Sequence, residues 1–154
     1  MSVTRGRDYH FYRNTDDPYD NSPTWSLVTN IRDLDRNIEK VMADASTRAT
    51  EWGMQVGVKK EFTANFQMVD DGGADALAFE DAFYEDTDIE IAMLNGPIST
   101  SGSRGFRAMI QVSKFTVNEA LEDVGLIDVS VVIAYNTTNL PRRVSSNGST
   151  LVDA

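Results

Sequence analysis

The chain has no cysteine, one histidine and four prolines, and it runs from Phe62 to Ser103 without a single lysine or arginine. Each absence closes something off. Without cysteine there is no disulfide framework and no thiolate metal site, so the chain is expected to fold in a cytosol. His10, the lone imidazole, stands in an aromatic stretch and reads as a packed or surface side chain. No run approaches the ~20 apolar residues of a membrane-spanning helix, and the first residues do not read as a signal peptide. There is no Gly-Xaa-Ser-Xaa-Gly elbow, no phosphate-cradling glycine loop and no His-Glu-Xaa-Xaa-His helix. Asp86, Asp88 and Glu90 alternate and could share a strand face as hard-cation ligands, but they lack the tight loop of a dedicated calcium site. No catalytic residue, cofactor or metal is expected, and the chain is not read as an enzyme.

Missing cations leave the acids unbalanced. The net charge is −10, and Asp70, Asp71, Asp75, Glu80, Asp81, Glu85, Asp86, Asp88 and Glu90 all fall in the stretch without lysine or arginine. Such a surface is poorly made for holding nucleic acid phosphates by direct pairing. Two readings remain: a solvated face kept soluble by like charge, or a surface that repels a polyanion instead of gripping it.

What is present suits one soluble domain over residues 1–154, with 41% hydrophobic and 25% charged residues. Its organising stretch runs from Met54 to Leu94. In MQVGVKKEFTANFQMV, Val56, Val58, Phe62, Ala64, Phe66 and Met68 share one parity, while Lys59, Glu61, Thr63, Asn65 and Gln67 share the other. Period 2 puts these sets on opposite faces of a strand. After Asp70-Asp71-Gly72-Gly73, a helix is predicted over about residues 74–86, with Ala76, Phe79, Ala82 and Phe83 on one face, widened by Leu77 and Tyr84. Period 2 then returns, with Ile89, Ile91 and Met93 on one side.

Around this unit, residues 1–7 form a basic N-terminal arm, and Asp8 to Arg13 reads as a short strand. Asn14 to Thr24 is a turn-rich loop. Trp25 to Ile38 reads as strands with a bulge partway. Glu39 to Gly53 shows no steady period and is expected to be a long inter-strand loop. Asn95 to Gly105 is a second loop. Phe106 to Val117 changes phase after Val112, which predicts a bulge. Leu126 to Tyr135 is the strongest strand, with Ile127, Val129, Val131, Ile133 and Tyr135 on one face. Residues 8–138 are thus the β core, and 139–154 a flexible C-terminal tail. The fold class is mainly β: a β-sandwich or small barrel of about six strands, with one packed α-helix and extended termini.

The order of these segments carries more. An N-terminal aromatic strand is followed by a Pro-Thr-Trp entry, Asn30-Ile31-Arg32-Asp33-Leu34, Asp44-Ala45-Ser46-Thr47-Arg48 and Trp52. Then come strand, helix, Ile-Glu-Ile-Ala-Met-Leu-Asn-Gly, a Gly-rich turn, a strand ending near Glu119-Ala120-Leu121, and Asp128-Val129-Ser130-Val131. This layout, over roughly Asp8 to Thr138, resembles the tail tube (major tail) proteins of long-tailed bacteriophages and the related Hcp tube of type VI secretion. The resemblance lies in layout and scattered positions, and the polar tail after Leu140 departs from it.

The resemblance implies a structural virion protein, made in the host bacterial cytoplasm and placed in the tail. Its hexameric rings would stack into a hollow tube through which DNA passes without specific binding. The implied partners are further copies of itself, a tape-measure protein and tail-end or terminator proteins; no membrane is involved. On this reading Lys59, Glu61, Thr63, Asn65 and Gln67 face the lumen or an inter-subunit sheet, while Val58, Phe62 and Phe66 face the core. Asp44, Ser46, Thr47, Arg48 and Trp52, in the Glu39–Gly53 segment, are candidates for ring-to-ring contact. Two other readings stand beside it. One is a monomeric or small-oligomeric β-sandwich binding module, its site built from the Asn14–Thr24 and Asn95–Gly105 loops. The other is a single-ring head–tail connector or terminator.

Overall fold

The computed structural model describes residues 9–15, 23–49, 51–119, 125–135 and 140–153. Along the chain these form β1 (His10–Asn14), β2 (Trp25–Leu27), β3 (Ile31–Asp44), β4 (Gln55–Val69), α1 (Ala74–Glu85), β5 (Ile89–Leu94), β6 (Arg104–Asn118), β7 (Leu126–Ile133), β8 (Arg142–Ser146) and β9 (Leu151–Asp153). All pairings are antiparallel. Seven strands run β2-β1-β5-β6-β7-β4-β3, and the β8–β9 hairpin joins at β6. The expected N-terminal arm lies outside the described residues, as do parts of the Asn14–Thr24 loop and of the acidic turn before β7.

The sheet is curled. Phe11 on β1 and Phe66 on β4 have ring centroids 5.4 Å apart, although four strand spacings separate them, about 19 Å on a flat sheet. The link from β2 to β3, Val28–Asn30, joins the two edges of the seven-strand path. Its ends are fixed by Val28 N–H donating to Phe11 O and Val69 N–H donating to Asn30 O, both at 2.9 Å. The result is a partly closed barrel, the mainly β architecture that the alternation predicts.

Inside the curl sit Phe62, Ala64, Phe66 and Met68 from β4, Ile91 and Met93 from β5, Ala108, Ile110 and Val112 from β6, and Ile127, Val129 and Val131 from β7. The phase change in β6 is a register shift between Val112 and Lys114, after which Phe115 takes up the core side. A bulge between Arg32 and Asp35 in β3 places Asp33 at φ 52, a conformation aspartate tolerates better than most residues. Gly105 must be glycine, because a Cβ there would lie 1.8 Å from Met93 O.

Helix α1 plugs the core with Ala76, Phe79 and Ala82, Phe79 meeting Phe66 edge-on at 5.3 Å. Asp75 in its first turn suits the positive end of the helix and pairs with Arg13 at 2.9 Å. Leu77 and Tyr84, expected to widen the buried face, are instead 55% and 70% exposed. The apolar face is narrower than helical spacing suggested.

Three further expectations are corrected. Glu39 to Gly53 is not one long loop: β3 continues to Asp44, and β3 and β4 form a long hairpin with its turn at residues 45–54. Val56 and Val58 share Phe62's parity but are 53% and 63% exposed, because β7 stops at Ile133 and leaves this half of the hairpin uncovered. The supposed flexible tail forms β8 and β9, which pack Val144 and Leu151 onto Tyr12, Ala92 and Leu94 on the reverse of the sheet. Below the reach of β7, β8 takes its place beside β6, pairing at Arg104–Arg107.

Candidate functional site

Among the described residues no group of three or more His, Asp or Glu side chains could hold a metal ion, and the features that stand out are surfaces. The first is the reverse face of the curled sheet where the β8–β9 hairpin does not cover it. Thr63, Asn65 and Gln67 alternate there with core residues, and register places Val132, Ser130 and Asp128 of β7 beside them. Asn37, Asp35 and Arg32 of β3 flank the other side. Ser130 Oγ donates to Asn65 Oδ1 at 2.6 Å, and Ser113 Oγ to Ser130 O at 3.1 Å. A shallow depression of about 380 Å³ on this face is lined by Asp33, Asp35, Asn65, Gln67, Lys114, Asp128 and Ser130. Lys59 and Glu61 continue the row onto the exposed hairpin, where they pair at 3.5 Å. All five residues expected to face a lumen therefore lie on one polar side of β4.

The charge of this face is mixed and mildly acidic. Asp33, Asp35, Glu39, Glu61 and Asp128 stand against Arg32, Lys59 and Lys114. The densest acidic run is elsewhere. Helix α1 packs on the core side, so exposed Glu80, Asp81 and Glu85 point away from the polar face.

The second surface is the distal half of the β3–β4 hairpin, an arm standing clear of the core. Ile38, Val41, Met42, Met54, Val56 and Val58 are all more than a third exposed, and Trp52 at the tip is 77% exposed. The tip is ordered by its own bonds. Ala45 N–H donates to Met54 O at 2.8 Å, Met54 N–H to Ser46 Oγ at 2.8 Å and Ala49 N–H to Thr47 Oγ1 at 3.3 Å. Ser46 N–H donates to Asp44 Oδ1 at 2.8 Å. Hydrogen bonds from the Ser46 side chain and then its backbone hold the Asp44 carboxyl below its usual 3.8. Asp44, Ser46, Thr47, Arg48 and Trp52 thus sit together at an exposed, self-organised tip.

A cleft of about 750 Å³ follows the barrel seam between β1 and β3, lined by Tyr9, Phe11, Val28, Ile31, Leu34 and Met93 among others. None of the described residues of the Asn14–Thr24 and Asn95–Gly105 loops contributes to it. Those loops leave β1 and β5 at opposite ends, since Leu94 pairs with His10 and Asn14 lies four residues, about 14 Å, further along.

The chain's buried charge does structural work. Glu90, 3% exposed, is paired with Arg107, whose guanidinium carbon lies 5.1 Å from the centroid of the Trp25 ring. Glu90 is therefore not free to join Asp86 and Asp88 as a cation ligand. Asp86 instead terminates α1 in the left-handed conformation, its N–H donating to Ala82 O. Alternation along the sequence placed Glu90 on a strand but gave no sign of the arginine across the sheet.

The curled antiparallel sheet with one helix against its core is similar in fold to solved tail structures. The chain superimposes on the SPP1 tail tube with a TM-score of 0.70 at 11% identity, over 90% of this chain and 78% of that one. On the tail of an empty gene transfer agent particle, refined with sixfold symmetry, the TM-score is 0.69 at 10% identity, covering 99% of both chains. A chain in the virion of a native gene transfer agent particle gives 0.66 at 10% identity, over 87% of this chain and 96% of that one. No protein-family model and no curated protein sequence matches the chain.

Proposed function

We propose that the chain is a tail tube subunit. Six copies form a ring whose sheets join edge to edge into one barrel, and the rings stack into a hollow tube that carries DNA from capsid to host. The observation behind this reading is a two-sided sheet in a chain folded like the SPP1 tail tube. One side is core, and the other is polar and uncovered along β4 and β7. The geometry supplies a means of joining. Among the described strands β3 pairs only with β4, so its other edge offers a long row of backbone donors and acceptors that a neighbour would satisfy. Lys59, Glu61, Thr63, Asn65 and Gln67 line the channel, and the hairpin tip reaches the next ring. Mixed charge with acid in slight excess lets DNA pass without adhering. The subunit sits in the virion tail, with a tape-measure protein inside the tube and terminator proteins at its end.

Negative-stain microscopy of the purified chain tests this directly. Long tubes of stacked rings are the expected result. Single rings that never stack would favour a connector at the head–tail junction, and particles of monomer size at every concentration would overturn the proposal.

A further inference from the structure

The two ends of the sheet differ in charge, and this difference bears on how copies join. At the end where β5 and β6 meet, a depression of about 380 Å³ opens between the β3–β4 arm and β6–β8. Arg36, Arg104 and Arg143 rim it, with Tyr9, Ile38 and Phe106 as its apolar lining, and among the described residues no carboxylate belongs to its wall. Register explains the gathering. Arg104 shares the core parity of Phe106, Arg143 pairs with Phe106, and Arg36 pairs with the core residue Ala64. The four ion pairs among the described residues are Arg13–Asp75, Lys59–Glu61, Arg107–Glu90 and Arg142–Asp153, and none uses these three arginines. Three unpaired cations round one partly apolar hollow repel one another, and they do so in a chain carrying ten excess negative charges.

The opposite end is acidic. Fourteen residues separate Arg104 from Asn118 along β6, some 45 Å of extended strand. There β4 runs out into Asp70 and Asp71, beside Gly125, whose carbonyl accepts from Asp70 N–H at 2.9 Å. Asp70 and Asp71 are exposed and accept only from the N–H groups of Gly72 and Gly73. Glu119 follows β6 at the same end, also exposed. Of the cations there, Arg13 is paired with Asp75 in the first turn of α1, and Arg32 lies opposite Gln67, two residues short of the end of β4.

We infer that the arginine-rimmed hollow receives the Asp70–Asp71 turn of a second copy, so that subunits join head to tail along the strand direction. The inference rests on the tail tube reading and deepens it, assigning the receiving and inserted surfaces of the ring-to-ring joint. The occupant is a second copy because the complementary charge belongs to the chain itself and lies at the far end of the same strands. A contact of that polarity joins unlike surfaces, and directed along the strands, end to end, it extends into a stack when its rotation does not close into a ring.

Charge exchange tests it. Arg104→Glu with Arg143→Glu should raise the concentration at which stacked rings form by about tenfold, the scale of two or three exposed ion pairs lost together. Asp70→Arg with Asp71→Arg should do the same, and all four changes together should restore stacking. Each variant is first shown to melt like the parent by circular dichroism. Stacking should also weaken as salt rises towards 1 M, where the screening length falls to about 3 Å. If the parent chain stacks but the four-residue exchange stacks no better than either pair alone, this joint is wrong while the tube reading stands. If the parent never stacks, the tube reading falls and the joint falls with it.

Discussion

Glu90 and Arg107 show how one residue pair can fix a layer of the molecule. The carboxylate lies in the sheet beneath the β8–β9 hairpin, where leaving water is costly unless a cation compensates. Arg107 supplies that cation and rests its other face on Trp25. Glu90 Oε2 finds no further partner among the described residues, so the whole compensation runs through one guanidinium. Arg107→Met is therefore expected to destabilise the fold by about 3–5 kcal/mol, because it strands a buried charge. Adding Glu90→Leu should recover most of the loss, since the orphaned carboxylate goes with it. The midpoint of urea unfolding at constant slope measures both. If the double variant were as unstable as the single one, packing and not charge would hold this layer.

Among the elements, the β3–β4 hairpin divides into a half bound to the core and a half that stands clear. The free half should be dispensable for folding and necessary for assembly. Replacing residues 45–54 with Asn-Gly, the two-residue turn best suited to a hairpin, is expected to leave a soluble chain with a near-parental melting temperature that forms monomers or rings but no tubes. Gel filtration and negative-stain microscopy report the outcome, and tubes of unchanged length would remove the tip from the ring contact. This arm also marks where the sequence stopped being readable. Alternation in β4 and β7, helical spacing in α1 and the phase change in β6 all arise because one face of an element is buried, and they were legible. The arm is exposed on both faces, so nothing selected an apolar parity in residues 39–44, and the strand looked like loop. Val56 and Val58 share Phe62's parity in the sequence, but the register shift at Val41/Met42 puts Val56, opposite Ala43, on the face of Lys59, and parity in any case names a face and not what covers it. In β8 and β9, two buried apolar residues, Val144 and Leu151, stand among serines and asparagine, too few to show a period. The five polar residues of β4 could be assigned to one side because their neighbours on that strand were apolar. Neither the opposed charges at the two ends nor the Glu90–Arg107 pair could be found, since each joins residues far apart in sequence.

At the scale of the whole molecule, the proposed tube makes the polar face a conduit and not a binding site. Each subunit brings five carboxylates and three cations to it, and repetition round a ring multiplies whatever bias one copy has. Glu61→Lys with Asn65→Lys turns that bias towards phosphate attraction. Tubes should still assemble, because neither residue is in the core, but DNA ejection should slow, and by more at low ionic strength than at high. Ejection at parental speed in several such variants would argue that this face does not line the channel. One further property follows from the way β6 changes neighbours partway along its length. A growing chain that has emerged only as far as Ala134 has β7 in hand for Ile110–Asn118, while the backbone of Arg104–Arg107 waits for β8. At about 5–20 residues per second, ribosomal synthesis crosses that interval in roughly a second. The sticky edge that could pair nascent chains with one another is therefore open only briefly, and the same hairpin that shuts it also seals Glu90 from water.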